Sequence, residues 1–197
     1  MKIYDISQEV LSSEVYPGDP IPKIHRISSM EKGDLYNLCE FSMCAHNGTH
    51  VDAPCHFIPD GNAVADIDLY KTVGYAYVVE RTKKIGSVEA REIIAHISNQ
   101  NKEAAKRILI KGMATVTADG AEEFRDAGVV LIGSETQSVG PVDSPMQVHK
   151  ILLKNDIVLL EGIRLSEVPD GVYFLSAAPI NLGISDGAPC RAILIKI

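Results

Sequence analysis

Three histidines and one aspartate fall between His46 and His56, inside the stretch HNGTHVDAPCHF. Neutral imidazoles and carboxylates are the ligands that hold zinc or manganese in hydrolytic sites. The whole chain carries six histidines, so three in so short a window, beside an aspartate, form a pattern rather than scatter. A second pair, His149 and Glu161, stands far downstream in VHKILLKNDIVLLEG. Together the two clusters have the makings of a two-metal centre suited to hydrolysis.

The local chain must bring these side chains together. His46, His50, Asp52 and His56 are all even-numbered, so an extended chain would place them on one face. A straight strand would still hold His46 and His50 about 13 Å apart, at roughly 3.3 Å per residue. The chain must therefore bend, and Gly48 is the residue that tolerates the bend. A helix would also bring His46 and His50 together, but Gly48, Thr49, Val51 and Pro54 disfavour it. The expectation is a bent strand end or loop. Asp52 has two oxygens and can bridge two ions. His56 follows Pro54 and is either a ligand or a free acid/base. With three ligands already near, the acid/base role is preferred, because imidazole titrates near neutral pH. Cys55 offers a thiolate in the same window, but a small buried side chain is the simpler reading.

The second cluster sits on regular structure. Ser144, Pro145 and Gln147 predict a helix that starts with a capping box, has proline at its first position and runs to about Lys154. His149 lies in it. Glu161 ends the apolar strand that follows and precedes a glycine; a carboxylate there is costly unless paired or bound to metal. Two more helices are predicted, over residues 88–97 and from Asp119, as N-cap, to Gly128. Strands are predicted at 2–6, 37–45, 76–80, 107–111, 129–132, 157–160, 172–177 and 192–197, from β-branched content and flanking Gly, Asp and Pro. Many strands with few helices imply one α/β domain over residues 1–197, with a mixed β-sheet.

A chain of 197 residues can bury a real core, and 46% apolar content fits a soluble globular protein. The net charge of −7, without blocks of like charge, speaks against nucleic acid as a partner. No apolar run is long enough to span a membrane. The N-terminal MKIYDISQEV lacks the apolar core of a secretory signal. The four cysteines form no CxxC pair, so reduced thiols and a cytoplasmic location are expected. Neither a GxGxxG after an early strand nor a P-loop occurs, which argues against a nucleotide enzyme.

With these residues in place, the chain resembles the cyclase family of metal-dependent hydrolases, which includes bacterial kynurenine formamidases and isatin hydrolases. Residues 46–57 match the pattern HxGTHxDxPxHF, and His149 and Glu161 match a later histidine and glutamate. YPGDP at 16–20 and DGAPCRAIL at 186–194 also resemble family segments. The resemblance implies a single α/β domain of swivelling β/β/α type, commonly a homodimer. It implies two divalent ions; the mixed His/carboxylate donors favour zinc, with manganese the alternative. His46, His50 and Asp52 would hold the first; Asp52 and Glu161 would bridge to the second, completed by His149. His56 would be the catalytic acid/base, and Tyr16 would line the substrate pocket. Two departures stand out. Kynurenine formamidases tend to carry tryptophan where Tyr16 stands, and aspartate where Glu135 stands. Asp186 and Arg191 are read as stabilising the last turn and strand.

The expected activity is hydrolysis of a small-molecule amide by metal-activated water, most specifically an arylformamidase converting N-formylkynurenine to kynurenine and formate. The alternative is an isatin-type or other cyclic-amide hydrolase. A non-catalytic metal- or ligand-binding protein on the same scaffold is disfavoured, because every ligand and His56 are present.

Overall fold

The computed structural model describes residues 1–141 and 144–196. The chain opens with β1 (Lys2–Asp5), a hairpin of β2 (Lys23–Ser28) and β3 (Leu38–Ser42), and the short β4 (His50–Asp52). Strands and helices then alternate. β5 (Val73–Glu80), α1 (Ser87–Gln100), β6 (Arg107–Lys111), α2 (Ala118–Asp126), β7 (Leu131–Ser134), α3 (Pro145–Lys154) and β8 (Val158–Glu161) follow in order. β9 (Gly171–Ser176), β10 (Gly187–Pro189) and β11 (Ile193–Lys196) complete the chain.

Nine strands form one sheet in the order β1-β11-β9-β5-β6-β7-β8-β4-β10, and β2-β3 stands apart. β5 to β8 are parallel, as strands joined through helices must be. The outer strands pair antiparallel, which makes the sheet mixed. Side-chain alternation divides the core into two. Tyr77, Val79, Ile108, Ile110, Ile132 and Leu159 meet the helices through Ile93, Ile97, Phe124 and Leu152. Val78, Leu109, Leu131 and Leu160 point the other way, onto Val51, Tyr173, Leu175 and Leu194. Buried on both faces, the central strands read as near-continuous apolar runs. The result is a single-domain α/β fold whose large mixed sheet curls over its second core, with three α-helices among the described residues.

Every strand and helix expected from the sequence is present, with shifts at the ends. The strand expected at 129–132 is displaced to Leu131–Ser134. Ile197, the last residue of the strand expected at 192–197, lies outside the described residues. Asp119 is not the N-cap of α2. Thr117 holds that position, and Asp119 in the first turn accepts from the Ser87 amide at 2.9 Å, tying α2 to the start of α1. Ser144 and Pro145 start α3 as expected, but Ser144 makes no side-chain capping bond to the helix. β2 and β10 were not foreseen, and β4 falls where a bent strand end or loop was expected.

Candidate metal centre

β4 builds the site although it is only three residues long. Val51 anchors it, fully buried in the second core, so His50 and Asp52 must face the opposite side. β4 lies antiparallel between β8 and β10, and the register sets His50 directly opposite Glu161. The expected bend before it is real: Gly48 has φ +68°, the left-handed region that suits glycine. The turn brings His46 back over β4. Gly187, on β10, leaves room for it, since a Cβ there would lie 2.7 Å from His46 Cε1. The 3-10 turn Pro54–His56 then carries His56 beside His46, with the rings stacked 4.0 Å apart. α3 supplies His149 from the other side.

The donor atoms converge. His46 Nδ1 lies 2.8 Å from Asp52 Oδ1, and His50 Nε2 lies 3.4 Å from the same oxygen. His149 Nε2 is 3.6 Å from Asp52 Oδ2 and 3.2 Å from Glu161 Oε1. His50 Nε2 is 3.6 Å from Glu161 Oε2. Each carboxylate therefore turns one oxygen toward His50 and the other toward His149. Two overlapping triplets result, His46/His50/Asp52 and Asp52/His149/Glu161, each compact enough to hold an ion.

Three observations test whether these residues fit a metal. First, Asp52 is 1% exposed and Glu161 3%, so two carboxylates are buried side by side. Such a pair is unstable without cations between its members. Second, Asp52 Oδ2 is buried without a hydrogen-bond partner among the described residues. Third, the outward nitrogens of His50 and His149 face backbone carbonyls, Gly48 O at 3.2 Å and Pro145 O at 2.9 Å. A carbonyl only accepts, so those nitrogens carry the protons and the inward ones are free to ligate. This is the outer support that metal-binding histidines use. The residues fit a divalent metal, and the N/O donor set suits zinc or manganese.

The electrostatics agree. Burial would pull His50 down, but Asp52 and Glu161 outweigh it and lift its pKa to about 10. Burial likewise opposes His149, while Glu161 and Asp52 raise it to about 9. Glu161 is held below the usual carboxylate range: burial and Asp52 push it up, and His149 and His50 prevail. The carboxylates thus retain their charge and demand cations, which protons on the imidazoles or metal ions can supply.

The centre forms the floor of a cleft of ≈ 370 Å³. Tyr16, Cys44, Phe57 and Ser138 line its walls with the histidines. Cys55 is not among the donors; it packs partly buried against the second core. All six residues singled out in the sequence as ligands or acid/base meet here, and Tyr16 stands at the same cleft. Glu135 lies elsewhere, accepting from the Gly112 and Leu165 amides at 2.6 Å each.

Asp186 is the residue the sequence reading set aside. Its Oδ2 lies 3.0 Å from His46 Nε2 and 3.2 Å from His56 Nδ1. Arg191 does bind the chain ends together, through Asp5 at 3.0 Å. Ser138 was also missed: its buried hydroxyl has no hydrogen-bond partner among the described residues.

A curled α/β sheet carrying a buried imidazole–carboxylate centre defines a metal-binding class, and comparison with known proteins says which family it is. The Cyclase family model matches residues 4–141. The kynurenine formamidase of Erythrobacter litoralis (strain HTCC2594) is 33% identical over 210 residues, spanning 100% of this chain and 94% of that protein. The solved structure of a predicted metal-dependent hydrolase from Bacillus stearothermophilus is 27% identical, with a TM-score of 0.79 over 98% of this chain and 97% of that one. Isatin hydrolase A from Labrenzia aggregata shares the fold, with a TM-score of 0.77 over 100% of this chain and 94% of that one, at 20% identity. The chain belongs to the Cyclase family.

Proposed function

We propose that this protein is a metal-dependent hydrolase of a small-molecule amide, an arylformamidase that converts N-formylkynurenine to kynurenine and formate in tryptophan breakdown. The observation that carries the metal reading is the paired span of Asp52 and Glu161, each with one oxygen toward His50 and one toward His149. It supports two ions, zinc by preference, in one hydrolase domain over residues 1–197. The substrate reading rests on full-length likeness to kynurenine formamidases. Isatin hydrolases contribute likeness of fold alone.

His46, His50 and Asp52 would hold one ion; Asp52, Glu161 and His149 would hold the other. Bound divalent metal acidifies water and polarises a carbonyl oxygen. The chain's own residues do the rest. His56 takes a proton from the attacking water and returns it to the leaving nitrogen. Burial holds its pKa below the ordinary value, despite Asp52 pulling the other way, which leaves it neutral and basic at pH 7. Phe57 and Tyr16 offer aromatic surface to the substrate ring. The Ser138 hydroxyl is free to donate to a substrate oxygen.

The test is hydrolysis of N-formyl-L-kynurenine by chelated protein, before and after zinc or manganese is restored. Metal-dependent release of kynurenine is expected. Metal bound at two ions per chain without turnover would reject the formamidase assignment and favour cyclic amides.

The working form proposed is a cytoplasmic homodimer. All four cysteines are free thiols, which fits a reducing compartment. The β2-β3 hairpin supports the dimer. It projects large apolar side chains into solvent, among them Ile24 (56% exposed), Phe41 (64%) and Leu35 (92%). A two-stranded hairpin is marginal alone. Ile21, Ile27, Met30, Tyr36 and Leu38 are exposed as well. Light scattering should give the mass of two chains, and I24E/F41E the mass of one. A dimer that survives both substitutions would place the interface elsewhere.

A further inference from the structure

We infer that Asp186 is a positioning residue for two histidines at once, holding His46 and His56 each with its outer ring nitrogen protonated and its inner nitrogen free. The inference rests on the metal reading of the site and adds a part that reading does not contain.

The three candidate ligand histidines share one arrangement. Each turns one nitrogen toward Asp52 or Glu161 and the other toward an acceptor outside the centre. For His50 and His149 that acceptor is a backbone carbonyl, Gly48 O and Pro145 O. For His46 it is a side chain, Asp186 Oδ2, 3.0 Å from Nε2. An ionised carboxylate only accepts, so His46 Nε2 carries a proton. A neutral ring then presents the Nδ1 lone pair toward Asp52 Oδ1, 2.8 Å away. Two lone pairs at that distance repel unless a proton or a metal ion lies between them. Asp186 thereby selects the tautomer of neutral His46 whose Nδ1 is open to a metal ion.

The same oxygen serves His56, whose Nδ1 lies 3.2 Å away. His56 Nδ1 then carries the proton, and Nε2 is the atom left to exchange protons. The rings of His46 and His56 stack at 4.0 Å with 27° between their planes, so one carboxylate oxygen reaches both edges. The remaining contact is local: Ser185 Oγ donates to Asp186 Oδ1 at 3.5 Å. Asp186 is placed by the backbone. Ala53 N donates to Asp186 O at 2.9 Å, and the next residue, Gly187, pairs with Asp52. The ligand, the proton carrier and their common anchor are thus set by the β4-β10 pairing.

The test compares wild type with Asp186→Leu, Asp186→Ala and Asp186→Glu. Zinc affinity is read by chelator competition, and ring protonation by ¹⁵N shifts of the histidines in zinc-loaded protein. Asp186→Ala should bind zinc about 10- to 100-fold more weakly, the usual loss when an outer partner of a ligand histidine is removed. The His56 nitrogens should lose the Nδ1–H signature, and kcat should fall with little change in KM. Asp186→Leu is similar in size, cannot accept from either ring, and tests the same point if the alanine variant folds poorly. Asp186→Glu should restore part of the affinity. Unchanged zinc affinity and unchanged ¹⁵N signatures in either folded variant would overturn the inference. Failure of the wild type itself to bind zinc would instead overturn the metal reading.

Discussion

Asp52→Ala is expected to strip the centre of metal and to end turnover. Asp52 is the one residue shared by both candidate ligand triplets, so its loss leaves neither complete. It is also buried among three imidazoles. Glu161 alone would then face His50 and His149. Metal analysis should show one ion per chain or none, against the two proposed for wild type. Turnover should fall on the order of 10³-fold or more, because Lewis-acid chemistry is worth several kcal/mol and each 1.36 kcal/mol is tenfold. Thermal unfolding gives an independent reading. Metal that binds only the folded chain raises Tm, so added zinc should stabilise wild type and leave Asp52→Ala unmoved. A variant that keeps both ions would show that Asp52 is not the shared ligand.

His56→Ala is expected to do the opposite to metal and much the same to turnover. His56 stacks on His46 and contacts Asp186, but it makes no close contact with Glu161 and belongs to neither triplet sharing Asp52. Both ions should remain. Turnover should drop about 10²- to 10⁴-fold, the range for removal of a positioned acid/base. The competing role is concrete, since His46, His56 and Asp186 also lie close enough to hold an ion. Metal analysis separates the two. Loss of an ion together with activity would make His56 a ligand; retention of both ions with full activity would leave it no role in the chemistry.

These contrasts were framed on residues legible in the sequence, because metal ligation demands particular side chains at particular spacings. His46, His50 and Asp52 could be assigned to one cluster from alternation and a glycine bend alone, and the structure has that bend at Gly48. Glu161 was conspicuous because a carboxylate ending an apolar strand needs a partner. The central strands were equally open to reading. Residues such as Val78, Leu109 and Leu131 announce strands buried on both faces, and Pro145 marks where α3 begins.

What the linear chain concealed were features made by neighbours rather than by local preference. β4 and β10 are three residues each and owe their extended form to pairing with β8 and with each other. β2 alternates too weakly to declare itself, and its apolar residues are exposed on a separate hairpin. Asp186 stands 140 residues from His46, and no spacing rule links them. The amino-acid sequence by itself determined the ligand chemistry, the α/β class and the bend that gathers the first cluster, because each follows from residue type and short-range geometry. Only the tertiary structure decided that His50 faces Glu161, that Asp52 and Glu161 span two histidines, and that Asp186 reaches both His46 and His56. Those contacts depend on strand register across the sheet, which is set by core packing summed over the whole chain.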